Sequence, residues 1–87
     1  MTHKEIWQAI TKLAQVMDVS CSGLARAAGL DPTIFNKSKR INRDGSPRWP
    51  STYSIAKILD AANIKLVDFA NLMPTDTPNR RKSKAGR

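Results

Sequence analysis

Residues 20–40 read SCSGLARAAGLDPTIFNKSKR, two apolar runs separated by Gly-Leu-Asp-Pro, and that break constrains the fold more than any other feature. Leu24 and Ala28 stand four residues apart on one helical face, and Ile34 or Phe35 supplies the inward side of a second short helix. Gly29 lies where the chain must leave the first of these helices through positive φ, a conformation glycine adopts at little cost. Asp31 offers a carboxylate N-cap, and Pro32 suits the first helical position, where its missing N–H would have had no partner. Ala25 is small where the second helix must cross close over the first. The spacing predicts a helix over about 21–28, a tight turn, and a helix over about 32–38, which together make a helix-turn-helix. An ordinary αα-corner in a small bundle has the same local pattern, so the motif needs support from the rest of the chain.

That support comes from the distribution of charge. The formal charge is +8 over 87 residues. Residues 1–36 balance Lys4, Lys12 and Arg26 against Glu5, Asp18 and Asp31, and residues 51–73 balance Lys57 and Lys65 against Asp60 and Asp68. Residues 37–50 hold Lys37, Lys39, Arg40, Arg43 and Arg48 against Asp44, and residues 74–87 hold Arg80, Arg81, Lys82, Lys84 and Arg87 against Asp76. The whole excess therefore sits in one segment after the expected second helix of the motif and in the C-terminal stretch. A neutral scaffold with concentrated cations points to a polyanion, and to nucleic acid in particular.

The first helix is expected from Thr2 or His3 to Met17, opened by the Thr-x-x-Glu capping box of Thr2 and Glu5. Ile6, Ile10, Leu13 and Met17 form its apolar stripe, widened by Trp7 and Ala14, and His3 is expected to be exposed near the chain end. Ser20 is the N-cap candidate of the second helix. From residue 39 to 50, KRINRDGSPRWP cannot be a regular helix: Asp44-Gly45 signals a turn, and Pro47 and Pro50 remove donors. Ile41 and Trp49 are expected to pin this loop to the domain, with Trp49 covering the core edge or, alternatively, holding a nucleic-acid backbone. Ser51 should cap a fourth helix running to Asn63, with Tyr53, Ile55, Ile58, Leu59 and Ala62 inward. A fifth should span roughly 66–73, with Leu66, Phe69, Ala70 and Met73 inward, although Lys65 is a poor cap and Pro74 stops it. The fold class is all-α, in one domain of residues 1–73. Residues 74–87, with Ala85 their one non-proline apolar residue, are expected to be a mobile basic tail or linker.

A chain of this length buries about 60–65% of its unfolded surface, enough for one small core. No run of about 18 apolar residues predicts a membrane-spanning helix, and MTHKEIWQAI has no apolar core of signal-peptide type. The single Cys21 has no internal disulfide partner and fits a reducing cytoplasm. With one His, one Cys, no Gly-rich phosphate loop and no acid–base pair, the residues point away from an enzyme, a metal site or a cofactor.

The chain resembles the N-terminal DNA-binding domain of phage-repressor-like regulators, the lambda-repressor-like helix-turn-helix class. It is most similar to those that join this domain to a LexA-like peptidase domain. The resemblance covers about residues 6–73 and rests on SGLARAAGLDPTIFNKSKR (residues 22–40) and DGSPRWPSTYSIAKIL (residues 44–59), the Arg-Trp-Pro-Ser within the second block being its most specific part. It implies a compact five-helix domain, dimeric binding to a double-stranded DNA operator, and transcriptional repression; Lys65 departs from the small polar cap expected before the last helix. No counterpart of the peptidase lies in these residues, so self-cleavage is not implied.

In that architecture the start of the 32–38 helix enters the major groove. Thr33, Asn36 and Lys37 would then reach base edges, with Pro32 packed at the groove. Asn suits adenine, Lys guanine, and the Thr methyl a thymine methyl. Ser20, Cys21 and Ser22, at the start of the second helix, would hold a phosphate on free N–H groups. Lys39, Arg40, Arg43 and Arg48 would contact phosphates from the loop. A homodimer would form weakly through the last helix, at Phe69, Leu72 or Met73. The competing readings are a protein-interaction module on the same fold, antitoxin-like or anti-repressor-like, and RNA binding. Only Trp49 interleaves the basic residues, so no base-stacking surface for single strands is evident.

Overall fold

Three of the helices in this chain stop in the same way, and those stops set its shape. In the computed structural model, which describes residues 1–73, the helices are α1 (His3–Val16), α2 (Cys21–Ala27), α3 (Thr52–Ala62) and α4 (Leu66–Ala70), with a turn of 3-10 helix at Lys37–Lys39. After α1 the Val19 N–H donates to Ala14 O and Asp18 N–H to Gln15 O. After α2 the Leu30 N–H donates to Ala25 O and Gly29 N–H to Arg26 O, and after α3 the Ile64 N–H donates to Leu59 O and Asn63 N–H to Asp60 O. Each is a Schellman closure, with Asp18, Gly29 and Asn63 at φ of 59, 74 and 57°. Asp and Asn tolerate this left-handed conformation better than other side chains do.

The starts are as local as the stops. Thr2 and Glu5 form the expected capping box, with Glu5 N–H donating to Thr2 Oγ1 at 3.1 Å and Thr2 N–H to Glu5 Oε1 at 2.7 Å. Ser20 Oγ accepts from Gly23 N–H and Ser51 Oγ from Ser54 N–H, both at 3.0 Å, so both serines cap as predicted. At α4 the Lys65 side chain caps nothing, and Asp68 supplies half a box by accepting the Lys65 backbone N–H at 3.0 Å.

α1 is the central element, in contact with α2 and α4, while α3 packs on α2. Ile6, Trp7, Ala9, Ile10, Leu13 and Ala14 are its buried face, and Leu24, Ala25, Ala28, Phe35, Ile58 and Phe69 complete the core. The molecule is all-α: among the described residues no strand forms, and a single isolated bridge joins Ile41 to Pro47.

The third expected helix, over 32–38, does not form. Ile34 N–H donates to Asp31 O, Asn36 N–H to Thr33 O, Lys39 N–H to Asn36 O and Arg40 N–H to Lys37 O, all three residues back rather than four. Asn36 itself is extended, at φ −62 and ψ 150°. The segment is too short to offset helix nucleation, Thr33 and Ile34 are β-branched, and Pro32 brings no donor. Burial of Phe35 holds it in place of a helical ladder. Other expectations also change. Tyr53 is 66% exposed, Leu66 64% and Trp49 49%, so none of them is a core residue. Ala70 is exposed as well, because α4 is barely more than one turn long and presents only Phe69 to the core. No helix among the described residues is long and apolar enough to cross a membrane. The expected tail, residues 74–87, lies outside the described residues.

Nothing lies within 4 Å of the position a β-carbon would take at Gly29. Gly29→Ala should therefore cost only the backbone penalty of the left-handed conformation, about 1–2 kcal/mol. Urea denaturation is expected to show a lower midpoint at unchanged slope; an unchanged midpoint would show that the α2 closure does not hold the fold.

Candidate nucleic-acid interface

The basic segment folds on itself before it meets the rest of the molecule. Arg48 N–H donates to Arg40 O at 2.9 Å, Asn42 N–H to Ser46 O at 2.8 Å, and Gly45 N–H to Asn42 O at 3.0 Å, closing residues 40–48 into a small hairpin-like arm. Gly45, at φ 86°, makes the tight turn that Asp44-Gly45 predicts. Asp44 Oδ1 accepts from Ser46 Oγ at 2.6 Å and from Ser46 N–H at 2.9 Å. The one carboxylate of the segment is thus spent on the turn. Asn42 Nδ2 donates to Ser46 Oγ at 2.9 Å, which ties the two sides together again.

The base of the arm is held by α1. Trp7 Nε1–H donates to Arg48 O at 3.0 Å, and His3 Nε2 lies 2.8 Å from Arg40 O and 3.0 Å from Arg48 O. Carbonyl oxygens only accept, so the His3 proton is on Nε2 and donates to Arg40 O. The 3.0 Å approach of Trp7 Nε1 to that nitrogen is then contact between two donors that both lie beside Arg48 O. His3, expected to be an exposed terminal residue, is half-buried, edge-on to Trp7 and Trp49 at 6.3 and 5.7 Å between ring centroids. The sequence signals neither this role nor that of Trp7 beyond placing two rings four residues apart, on one face of α1. Ile41, expected to pin the loop, is 50% exposed.

The predicted contact residues divide into those turned outward and those turned in. Pro32, Thr33, Asn36, Lys37, Arg43 and Arg48 are exposed, and Asn36 makes no cap with its side chain. Thr33 donates from both N–H and Oγ1 to Asp31 Oδ1, at 2.8 and 2.7 Å, which leaves its methyl as the free part. Lys39 is half-buried and shares a cleft of about 140 Å³ with Arg48, Trp49 and Ser51. Arg40, expected at a phosphate, is folded inward. Its Cζ lies 4.9 Å from the centroid of the Trp7 ring, and Nη2 donates to Phe35 O at 3.4 Å. A guanidinium over an indole face gains cation–π attraction that an outward rotamer would forgo. At the start of α2, Ser20 is exposed with its Oγ used as the cap, and Ser22 is half-buried. Cys21 packs against the core with its Sγ 3.9 Å from Thr11 Oγ1, so its side chain faces α1 rather than an outside phosphate. With seven residues, α2 also has only a short dipole to offer.

Both aspartates flanking the cations are held ionised. The backbone and then the side-chain hydrogen bonds from Thr33 lower the Asp31 pKa, and those from the Ser46 side chain and backbone lower that of Asp44. A carboxylate whose folded pKa is depressed adds stability above its unfolded value and loses it as pH falls through the folded one. The Asp44 turn should therefore persist below pH 3.8, the ordinary aspartate value, before opening. An NMR titration of the Ser46 amide is expected to give a midpoint below 3.8, and a midpoint at or above it would mean that the turn does not hold the carboxylate.

Comparison with known proteins finds no family model, no curated protein and no solved structure that matches this chain.

Proposed function

We propose that this chain is a sequence-specific duplex DNA-binding domain of a transcriptional regulator. In this reading α2 and the turns of residues 31–39 act as a helix-turn-helix whose second limb is a string of turns. The observation that carries it is the segregation of charge: the folded body is neutral, while the half-buried Lys39 and the exposed Lys37, Arg43 and Arg48 belong to one segment whose only carboxylate, Asp44, is engaged in the turn. Asn36 and Lys37 have extended or 3-10 backbone and exposed side chains, and they supply the base contacts, with Pro32 and the Thr33 methyl beside them. Arg43, Arg48 and Lys39 supply the phosphate contacts, together with the N–H groups at the start of α2; Arg40 supports the arm from inside. The protein acts on DNA as a homodimer in the cytoplasm, without cofactor or catalysis. Leu66 and Val67, 64 and 62% exposed on α4, serve its contact rather than Phe69, which is 1% exposed.

A second reading, a protein-interaction module, has its own support. A groove of about 680 Å³ lies between α3 and α4, lined by Ile6, Trp49, Ile55, Leu59, Leu66 and Met73 among others, and it is almost wholly apolar. Patches of this kind mark contact surfaces in small domains. Selection of bound sequences from a random duplex pool separates the readings, since an interaction module would enrich none.

On the selected operator, Asn36→Ala should cost about 1–3 kcal/mol, and much less on unrelated duplex. Arg43→Ala should weaken both by similar factors and reduce the slope of log affinity against log salt by about 0.9. Fluorescence anisotropy across a salt series reads both. Equal losses on every sequence for Asn36→Ala would remove it from base recognition.

A further inference from the structure

The arm of residues 40–48 reaches out from the body and makes most of its hydrogen bonds to itself. Its tip is exposed throughout residues 42–45, and neither Ile41 nor Pro47 is buried. What joins it to the fold is concentrated at its two ends. Arg40 O takes the His3 Nε2 proton, Arg48 O takes the Trp7 indole proton, and the Arg40 guanidinium lies over the Trp7 ring. Arg40 O is also the acceptor of the bond that closes the arm, from Arg48 N–H, and Arg48 O belongs to the residue that donates it. One ring on the first turn of α1 and one on the second therefore hold both ends of the segment that carries Arg43 and Arg48.

We propose that His3 and Trp7 are positioning residues, which hold the basic arm in the orientation it needs against duplex DNA and so lower the ordering cost of binding without touching the nucleic acid. This rests on the DNA-binding reading above. A cationic segment that is loose before binding must be ordered by the complex, and affinity falls by that ordering cost. The number of phosphates it neutralises, which sets the salt slope, need not change. A positioning residue therefore shifts affinity at every salt concentration by the same factor, whereas a contacting cation changes the slope. Trp7 is 4% exposed, and its replacement would disturb the core, so His3 carries the test.

The experiment compares the full chain with His3→Ala, His3→Gln and Arg43→Ala, by amide hydrogen exchange and by anisotropy on the selected duplex over a salt series. In His3→Ala the amides of Asn42 and Arg48 should exchange several-fold faster, while those in the middle of α1 and α3 keep their protection. DNA affinity should fall roughly two- to tenfold, the worth of one side-chain hydrogen bond, at unchanged slope. His3→Gln, whose amide nitrogen can donate to the same carbonyl, should recover most of both effects. Arg43→Ala should instead flatten the slope. His3→Ala binding as tightly as the parent would overturn the proposal, as would a slope reduced in the manner of Arg43→Ala, which would make His3 a direct contact. A parent chain that binds no duplex at any salt overturns the DNA reading instead, and the clasp then stands or falls on the exchange data.

Discussion

The core and the basic arm of this molecule meet on one side chain. Trp7 is buried on α1, edge-on to Phe35 at 6.3 Å between centroids, beneath the Arg40 guanidinium, and bonded through its indole N–H to Arg48 O. Each contact is modest, about 0.5–1.5 kcal/mol for an aromatic pair and a similar amount for a hydrogen bond. Their importance is that they converge. Phe35 anchors the turns that carry Asn36 and Lys37, and the carbonyl of Arg48 anchors the far end of the arm, so both halves of the candidate interface are referred to the same ring. An indole suits this position because it brings a large apolar area and a single donor at its edge, which is what a carbonyl at the core boundary requires.

The arrangement also accounts for where the cations are. A domain of this size has little buried area with which to offset the desolvation of charge, and its helices carry nearly equal numbers of acids and bases. Among the described residues the excess sits on residues 37–50, outside the α-helices, where the backbone contributes little to the core and most of the cations stay exposed. Arg40 is the exception. It turns inward and spends its charge on the Trp7 face and the Phe35 carbonyl, which makes it a support of the interface rather than part of its outer surface. Asp44 is used similarly: engaged by Ser46, it shapes the turn at the tip.

The apolar groove between α3 and α4, which reaches Trp49 and Pro50 beside the base of the arm, results from the short α4. With Phe69 as its one buried side chain, α4 leaves Leu66 and Val67 in water and leaves Ile55 and Leu59 of α3 only partly covered. The Asn63 closure of α3 and the Asp68 half-box start α4 cleanly, but after Ala70 the helix gives way to turns in which Leu72 and Met73 N–H donate only three residues back, to Phe69 O and Ala70 O.

What the sequence determined by itself was everything held by neighbours in the chain. The Thr2–Glu5 box, the Ser20 and Ser51 caps, the exit at Gly29, the turn at Asp44-Gly45 and the apolar stripe of α1 all follow from contacts within a few residues, and all are found. The distribution of charge was equally legible, since it needs no structure. Tertiary structure decided the rest. Whether 32–38 became a helix depended on Phe35 finding the Trp7 ring, because a short segment with a proline and two β-branched residues has no ladder of its own to commit it. His3 meets carbonyls 37 and 45 residues away, and Trp7 one 41 residues away. Periodicity says which face of a helix turns inward. It does not say which carbonyl will wait there, because that is set by how the intervening turns fold.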